Sequence, residues 1–161
     1  MLANHGPALR LFAATWSDNP DDCVQQALIK LAAADPIPDN PVAWMYTVTR
    51  NEAINCRRRQ SRMKTRERIA AKHRPQFEYT PESEFDSERL EWAMSQLEQE
   101  TRAMIVAKVW GGLTFEQIAV QASCSPSSAH RRFTIGLKKL RDLISENVLS
   151  EKHNKPSQGS Q

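Results

Sequence analysis

Apolar residues recur along this chain at spacings of three and four, which is the pattern of amphipathic helices. No turn-bounded stretch alternates apolar and polar residues for long enough to indicate a strand, and glycine is scarce. We therefore predict an all-α protein.

The N-terminal half predicts three helices, at residues 7–16, from about 20 to 34, and from 41 to about 74. The prolines of DPIPDNP end the second helix, because proline cannot continue one. Asn40 and Pro41 then combine a preferred N-cap with a proline at the first helical position, which starts the third helix.

The second of these helices is amphipathic. Its apolar face comprises Cys23, Val24, Ala27, Leu28 and Leu31. Its opposite face comprises Asp22, Gln25, Gln26 and Ile29. The isoleucine on this polar face is either a scattered surface residue or part of a ridge that binds a partner.

The C-terminal half predicts one helix around Met94 and another around Ile105, which the pair Gly111-Gly112 terminates. The stretch that follows, TFEQIAVQASCSPSSAHRRF, contains two helix starts eleven residues apart.

The first start in this stretch is a capping box, formed by Thr114 and Gln117. The second is an N-cap followed by proline, Ser125-Pro126, and its helix is predicted to run to about residue 144. Two helices joined by so short a turn are typical of a helix-turn-helix that binds DNA, with a plain αα-hairpin as the alternative.

In a helix-turn-helix, the first turn of the second helix enters the major groove. The residues placed to reach base edges are Ser127, Ser128, His130 and Arg131. The cations placed to contact phosphates are Arg132, Lys138, Lys139 and Arg141.

Charge is unevenly distributed along the chain. Residues 57–74 hold nine Lys or Arg against one Glu, residues 75–100 hold eight acids against one Arg, and residues 101–161 hold nine cations against four acids. This distribution suggests a polyanionic partner contacted at two places, the alternative being a solvated helix face followed by a solvated linker.

The domain organisation follows from the acidic stretch PQFEYTPESEFD, which has two prolines and no apolar periodicity. We predict two small helical domains, 1–74 and 87–149, joined by a flexible acidic linker at 75–86, with a disordered tail at 150–161.

Several classes of protein are disfavoured. No apolar run approaches eighteen residues, so a membrane span is not expected. The N-terminus lacks the features of a signal peptide, so we expect a cytoplasmic location. The three cysteines form no CxxC pair, which indicates neither a disulfide framework nor a zinc site. No acid–base or metal constellation emerges, so we expect no enzymatic activity, no metal and no cofactor.

At this point the sequence resembles a known family. WGGLTFEQIAVQASCSPSSAHRRFTIGLKKLRDLI is similar to the C-terminal domain of bacterial RNA polymerase sigma factors. NPDDCVQQALIKLA and NPVAWMYTVTRNEAINCRRR are similar to the other conserved domain of that family. These matches occur in the order of the family and span most of residues 5–145, and the small two-domain layout resembles the extracytoplasmic-function (ECF) group.

The resemblance implies a subunit that binds core RNA polymerase and directs promoter-specific initiation. By this resemblance the polymerase β′ clamp would contact Asp22, Gln25, Gln26 and Ile29. The melted minus-ten strand would contact Asp39, Asn40, Arg50, Asn51, Arg57 and Arg58. The minus-35 duplex would contact Ser127, Ser128, His130, Arg131, Arg132 and Lys138. The β flap of the polymerase and an anti-sigma factor are further implied partners.

Some positions depart from the family pattern or have two interpretations. Gln26 stands where an acid is usual, residues 127–129 replace a typical Gly-Thr-Val, and Glu98 replaces a frequent proline, which predicts a softer helix break. Trp44 and Tyr46 are candidates for stacking on bases, although large aromatic residues are more often part of a core.

Two alternatives to a sigma factor remain. A stand-alone helix-turn-helix regulator would use its N-terminal half for dimerisation or for another protein, and it would not co-purify with core polymerase. An enzyme acting on nucleic acid is the third class, and the scattered histidines and clustered acids of the linker speak against it.

Overall fold

The computed structural model describes residues 5–64 and 84–153. All regular structure within these two ranges is helical, as the sequence predicts. In chain order the helices are α1 (Gly6–Ala14), α2 (Pro20–Ala32), α3 (Pro41–Lys64), α4 (Glu84–Ser95), α5 (Gln99–Val109), α6 (Phe115–Ala122) and α7 (Pro126–His153).

Most predicted helix starts are confirmed, and the differences lie at helix ends. The Asn40 carboxamide caps α3 by accepting a hydrogen bond from the Ala43 N–H at 3.0 Å. Helix α1 ends at Ala14, earlier than predicted, and the backbone turns through Thr15 and Trp16 towards α2. Helix α7 continues beyond residue 144 to His153, because no glycine or proline interrupts residues 137–155.

The break between α4 and α5 is present although Glu98 stands where a proline was expected. Glu98 is the N-cap of α5 and has an extended backbone conformation, with φ −56° and ψ 141°. The Arg102 guanidinium donates hydrogen bonds to the carbonyl oxygens of Ser95 and Leu97, both at 3.2 Å. These bonds satisfy carbonyl groups that the end of α4 leaves unpaired, and burial lowers the pKa of Arg102.

One helix forms the centre of the C-terminal half. Five consecutive residues of α5, Ala103 to Ala107, are buried, and α1, α6 and α7 all pack against this helix. A helix that is apolar and buried all round can be recognised by length and composition, but its amphipathic period is lost. The hydrophobic residues of α5 therefore predict that this helix is buried, but they do not predict which neighbouring helix packs on which of its faces.

The two halves of the chain share one hydrophobic core. Tyr46 of α3 is fully buried, and its ring contacts Phe12 of α1 edge to face at 5.0 Å between centroids. The backbone at Gly111 lies so close that a Cβ there would be 2.5 Å from the Tyr46 hydroxyl oxygen. Tyr46 is therefore a core residue that joins the two halves, and the hypothesis that it stacks on bases is wrong in this structure. Trp44 is half-buried and packs against the same core.

The predicted linker and tail fall largely on residues outside the described ranges. Of the predicted linker 75–86, only residues 84–86 are described, and they lie in the first turn of α4. The predicted tail 150–161 begins inside α7, and residues 154–161 lie outside the described part. No helix in the described ranges is long and apolar enough to cross a membrane.

A close approach between α5 and α7 depends on Gly136. A Cβ at this position would collide with Cγ2 of Thr101 and lie 3.2 Å from Cδ1 of Ile105. The glycine therefore brings the backbone of α7 against α5, where a larger residue would force the helices apart.

We expect Gly136→Ala to lower the free energy of unfolding by a net of about 1–2 kcal/mol in urea denaturation, because overpacking outweighs the gain in helix propensity. Thr101→Ser removes the colliding methyl group, so the double variant should recover most of the loss. An alanine variant more stable than the parent chain, with Thr101 present, would contradict this close packing.

Candidate nucleic-acid interfaces

The turn between α6 and α7 is built by side-chain caps. The Thr114 N–H donates to Oε1 of Gln117 at 2.8 Å, and the Gln117 N–H donates to the Thr114 hydroxyl at 3.3 Å, which confirms the predicted capping box. Ser123 ends α6 in the left-handed region, at φ 53°. The Ser125 hydroxyl then accepts from the Ser128 N–H at 3.2 Å and caps α7. Short-range bonds thus set the two helices three residues apart.

The first turn of α7 presents most of the predicted base-contacting residues to solvent. Ser127, His130 and Arg131 are exposed. Ser128 is half-buried, and its hydroxyl accepts a hydrogen bond from the Ser125 hydroxyl at 2.9 Å. Ser128 therefore helps to build the start of α7.

An aromatic cluster that the sequence did not reveal supports His130. The His130 ring meets the Phe115 ring edge to face at 4.9 Å, and Phe115 also contacts Phe133 at 5.4 Å. The Lys108 ammonium lies 4.8 Å from the centre of the Phe115 ring and donates to the Leu113 carbonyl at 2.9 Å. The imidazole is thus exposed to solvent but positioned by the face of α6.

Cations continue along the exposed side of α7. Arg132, Lys138 and Lys139 are exposed, and the Lys139 ammonium donates to the Gln96 carbonyl at 3.0 Å. Arg131, Arg132 and Lys138 take part in no ion pair within the described ranges. Three cations without a carboxylate partner on one helix form a surface suited to phosphate groups.

The N-terminal end of α6 carries a negatively charged side chain. Glu116 lies in its first turn, where hydrogen bonds from its own backbone N–H and then from the Thr114 hydroxyl lower the pKa of its carboxyl group. A carboxylate at this end is favoured by the helix dipole. The acid therefore stabilises the start of α6.

The exposed face of α2 holds the residues predicted for polymerase binding. Asp22, Gln25 and Gln26 are exposed, and Ile29 is 54% exposed. Leu28 is 45% exposed, so its assignment to the buried face is wrong.

Leu28 becomes exposed because α2 packs on α1 and α3 through Cys23, Val24 and Ala27, a narrower stripe than the periodicity predicts. Ion pairs fix the helix on both sides, between Arg10 and Asp21 and between Lys30 and Glu52, each at 2.6 Å. Leu28 and Ile29 thereby form an adjacent apolar pair on an otherwise polar face.

The residues predicted for the melted strand fall into two environments. Asp39, Asn51 and Arg58 are exposed. Asn40 is exposed too, but its side-chain oxygen is occupied in capping α3.

Arg50 and Arg57 are different, because residues of α5 already contact them. The Arg50 guanidinium bonds to the Glu100 carboxylate at 2.6 Å, and Arg57 donates to Oε1 of Gln99 at 3.0 Å. Neither partner was singled out in the sequence, since both lie across the acidic stretch from α3.

The structure therefore assembles three separate surfaces: the face of α2, the outer side of α3 with its preceding loop, and the first half of α7. Within the described ranges, no group of three or more His, Cys, Asp or Glu residues could hold a metal ion. The surfaces of α3 and α7 offer hydrogen-bond donors and positive charge to an anion. The surface of α2 offers a ridge of mixed polar and apolar side chains.

Comparison with known proteins finds a likeness in sequence for the N-terminal part and a likeness in fold for most of the chain. Residues 1–63, which span α1, α2 and nearly all of α3, match the family model of sigma-70 region 2. Most of the chain is similar in fold to a chain of a solved structure described as a co-crystal structure of the sigma factor RpoE in complex with the anti-sigma factor NepR from Bartonella quintana. The TM-score is 0.72 and the identity 24%, over 86% of this chain and 91% of that chain. No curated protein matches the sequence significantly.

One match is in sequence and the other is in three-dimensional structure. The family match covers the N-terminal part of the chain, and the likeness in fold extends over 86% of it. Both agree with the sigma-factor resemblance of the sequence.

We expect Ser125→Ala to lower the free energy of unfolding by about 1 kcal/mol, because α7 loses the cap on its first turn. Urea denaturation measures this, and Ser127→Ala, an exposed neighbour without a capping bond, should change stability by less than about 0.5 kcal/mol. Equal effects of the two substitutions would show that the Ser125 cap does not contribute.

Proposed function

We propose that this chain binds core RNA polymerase and directs promoter-specific initiation, reading the minus-35 element as duplex and the minus-ten element as melted strand. The observation that carries the proposal is the basic surface of α7, whose Arg131, Arg132 and Lys138 form no ion pair with any described residue, in a chain whose residues 1–63 match sigma-70 region 2. A duplex-binding helix and a polymerase-binding domain in one chain are what a promoter-specifying subunit requires.

The polymerase contact is proposed for the exposed face of α2. Asp22, Gln25 and Gln26 offer hydrogen bonds, and Ile29 with Leu28 offers a small apolar contact in their middle. An apolar centre with a polar rim is the common composition of a protein interface. The β′ clamp is the proposed partner on this face, and the β flap is a further polymerase contact.

The minus-35 contact is proposed for the first half of α7. Ser127, His130 and Arg131 are exposed on its first turns, where a helix entering the major groove meets base edges. Arg132 and Lys138 are placed to contact phosphates on either side. Phe115 of α6 contacts His130 of α7, and the Ser125 hydroxyl caps α7, so both helices and the cap position the first turn.

The minus-ten contact is proposed for α3 and the loop that precedes it. Asp39, Asn40 and Asn51 supply hydrogen-bonding groups, and the arginines of α3 follow the phosphates of the strand. With Tyr46 in the core, Trp44 is the remaining one of the two aromatic residues suggested for base stacking. Trp44 remains half-buried.

We further propose that the chain has no catalytic activity and acts in the cytoplasm, where its proposed partners are. The related RpoE was solved with an anti-sigma factor, and a protein of that class is a candidate partner here too. The stand-alone regulator is the weaker alternative, since the match of residues 1–63 to sigma-70 region 2 supports a polymerase-binding role for the N-terminal half that such a regulator would lack.

Run-off transcription with core polymerase tests the proposal. Core enzyme with this chain should produce specific transcripts from genomic fragments of its own organism, whereas core enzyme alone should not. Mapping the start sites yields the promoter sequences. Failure to bind core polymerase, with duplex binding retained, would instead establish the stand-alone regulator.

For Arg131→Ala, we expect discrimination between the mapped minus-35 sequence and its point variants to fall by about 1–3 kcal/mol at one position, because a bidentate base contact is lost. Competition binding to duplexes at fixed salt measures this. Lys138→Ala is the matched control, and it should weaken all duplexes alike. Uniform weakening by Arg131→Ala would reassign this residue to a phosphate.

For Gln25→Ala, we expect affinity for core polymerase to fall by about 1 kcal/mol, or roughly fivefold, because a polar contact of α2 is lost. Fluorescence titration of the labelled chain with core enzyme measures this. Asn55→Ala, an exposed change on α3 outside the proposed contacts, is the control. Duplex affinity should be unchanged in both variants, and full polymerase affinity of Gln25→Ala would remove this residue from the interface.

A further inference from the structure

Two thiols meet where α2 packs on α3. Cys23 belongs to the buried stripe of α2 and is only 2% exposed, while Cys56 of α3 is half-buried and packs against the same core. The Cys23 thiol donates to the Asn19 carbonyl at 3.2 Å and also interacts with the Cys56 thiol across the contact between the helices. Both cysteines are free thiols. The fold thus joins two cysteines that no CxxC motif connects in the sequence.

The two helices are held together on either side of this pair. The Lys30 ammonium of α2 bonds to the Glu52 carboxylate of α3 at 2.6 Å, and Glu52 lies one helical turn before Cys56. The Gln60 side-chain amide, one turn after Cys56, donates to its sulfur at 3.6 Å. Because the two thiols already interact, a covalent bond between them requires rotation of two side chains rather than movement of a helix.

The two thiols differ in how readily an oxidant from solution can react with them. Burial raises the pKa of the Cys23 thiol, and the Cys56 thiol beside it raises this pKa further, although a hydrogen bond with Ser17 opposes both effects. Since the thiolate is the reactive form, Cys23 is a poor target for a dissolved oxidant. Cys56 is the more exposed of the two, and its closeness to Cys23 favours a reaction between them.

We propose that Cys23 and Cys56 form an oxidisable pair, in which a hydroperoxide oxidises Cys56 and Cys23 then closes a reversible disulfide between α2 and α3. In the first step the Cys56 sulfur attacks one peroxide oxygen, the O–O bond breaks, and a sulfenic acid and an alcohol (water, for hydrogen peroxide) result. In the second step the Cys23 sulfur attacks the Cys56 sulfur, the S–O bond breaks, and the hydroxyl leaves with the Cys23 proton as water.

The second thiol determines whether the oxidation is reversible. A cysteine without a resolving thiol proceeds from sulfenic to sulfinic acid, which a dithiol does not reduce, whereas a disulfide is reduced by thiol exchange. Disulfides that form transiently in a reducing compartment are commonly redox-sensing. The disulfide proposed here would connect the helix with the proposed polymerase-binding face to the helix proposed for the melted strand. The chemistry of the pair does not depend on either of those roles.

The test treats the reduced full chain with hydrogen peroxide and maps its tryptic peptides by mass spectrometry without reductant. Cys23 lies in peptide 11–30 and Cys56 in peptide 51–57. We expect these two peptides to be cross-linked in monomeric protein and to separate after treatment with dithiothreitol. Cys124→Ser is the matched control, because it removes the remaining cysteine. It should form the same cross-link, and its two thiols should be lost together and recovered together.

Single substitutions separate the roles of the two thiols. In Cys23→Ala, peroxide should produce a Cys56 sulfenic acid that dimedone traps, and then a sulfinic acid that dithiothreitol does not reverse. In Cys56→Ala, Cys23 should resist peroxide, because it is buried. Circular dichroism reports whether each variant retains its helices.

A further measurement needs no substitution at the buried position. Amide hydrogen exchange of residues 20–32 and 41–60 should slow when the unsubstituted chain is oxidised, because a disulfide restrains local opening of the two helices. It should not slow when Cys56→Ala is treated in the same way.

Irreversible oxidation of Cys56 in the unsubstituted chain, with no cross-link between peptides 11–30 and 51–57, would overturn the inference and leave the two thiols as core packing alone. Cross-links between chains, or to peptide 109–131 with Cys124, in place of the expected one would overturn it as well. These measurements need neither polymerase nor DNA, so their outcome is separate from that of the run-off assay.

Discussion

The arrangement of the two halves depends on the contact between Tyr46 and the turn at Gly111. The Tyr46 ring is buried against Phe12, and the turn approaches so closely that any side chain at residue 111 would occupy the same space as the tyrosine hydroxyl. Burial raises the pKa of Tyr46, and no described residue bonds to its hydroxyl. Packing of the ring must therefore offset the cost of about 1–3 kcal/mol for an unpaired buried hydroxyl.

The two halves of the chain differ in how far their arginines are paired. On α7, Arg131 and Arg132 are exposed and have no acid beside them in the described part of the chain. On α3, Arg50 is paired with Glu100 and Arg57 with Gln99. The cations of the proposed duplex-binding surface are thus exposed, whereas two arginines of the proposed strand-binding surface already have partners on α5.

Much of the fold and part of the site could be predicted from the sequence. The capping residues Asn40, Thr114 and Ser125 start their helices as expected, and Ile29 lies on the exposed face of α2. Leu28 was placed on the wrong face, because periodicity indicates a broad apolar stripe and cannot tell how wide a stripe the neighbouring helices cover. The roles of the site residues remain proposals, although their positions are now known.

The sequence by itself determined where helices begin and which residues cap them, since these interactions join residues no more than four positions apart. It also determined the family resemblance, because that resides in linear motifs. Only the tertiary structure decided which of the candidate residues already have a side-chain partner elsewhere in the chain. The contacts that occupy Arg50, Arg57 and the Thr15 carbonyl join residues 50, 42 and 84 positions apart. No local pattern encodes such pairs, because they arise only when two separately predictable halves pack through one shared core.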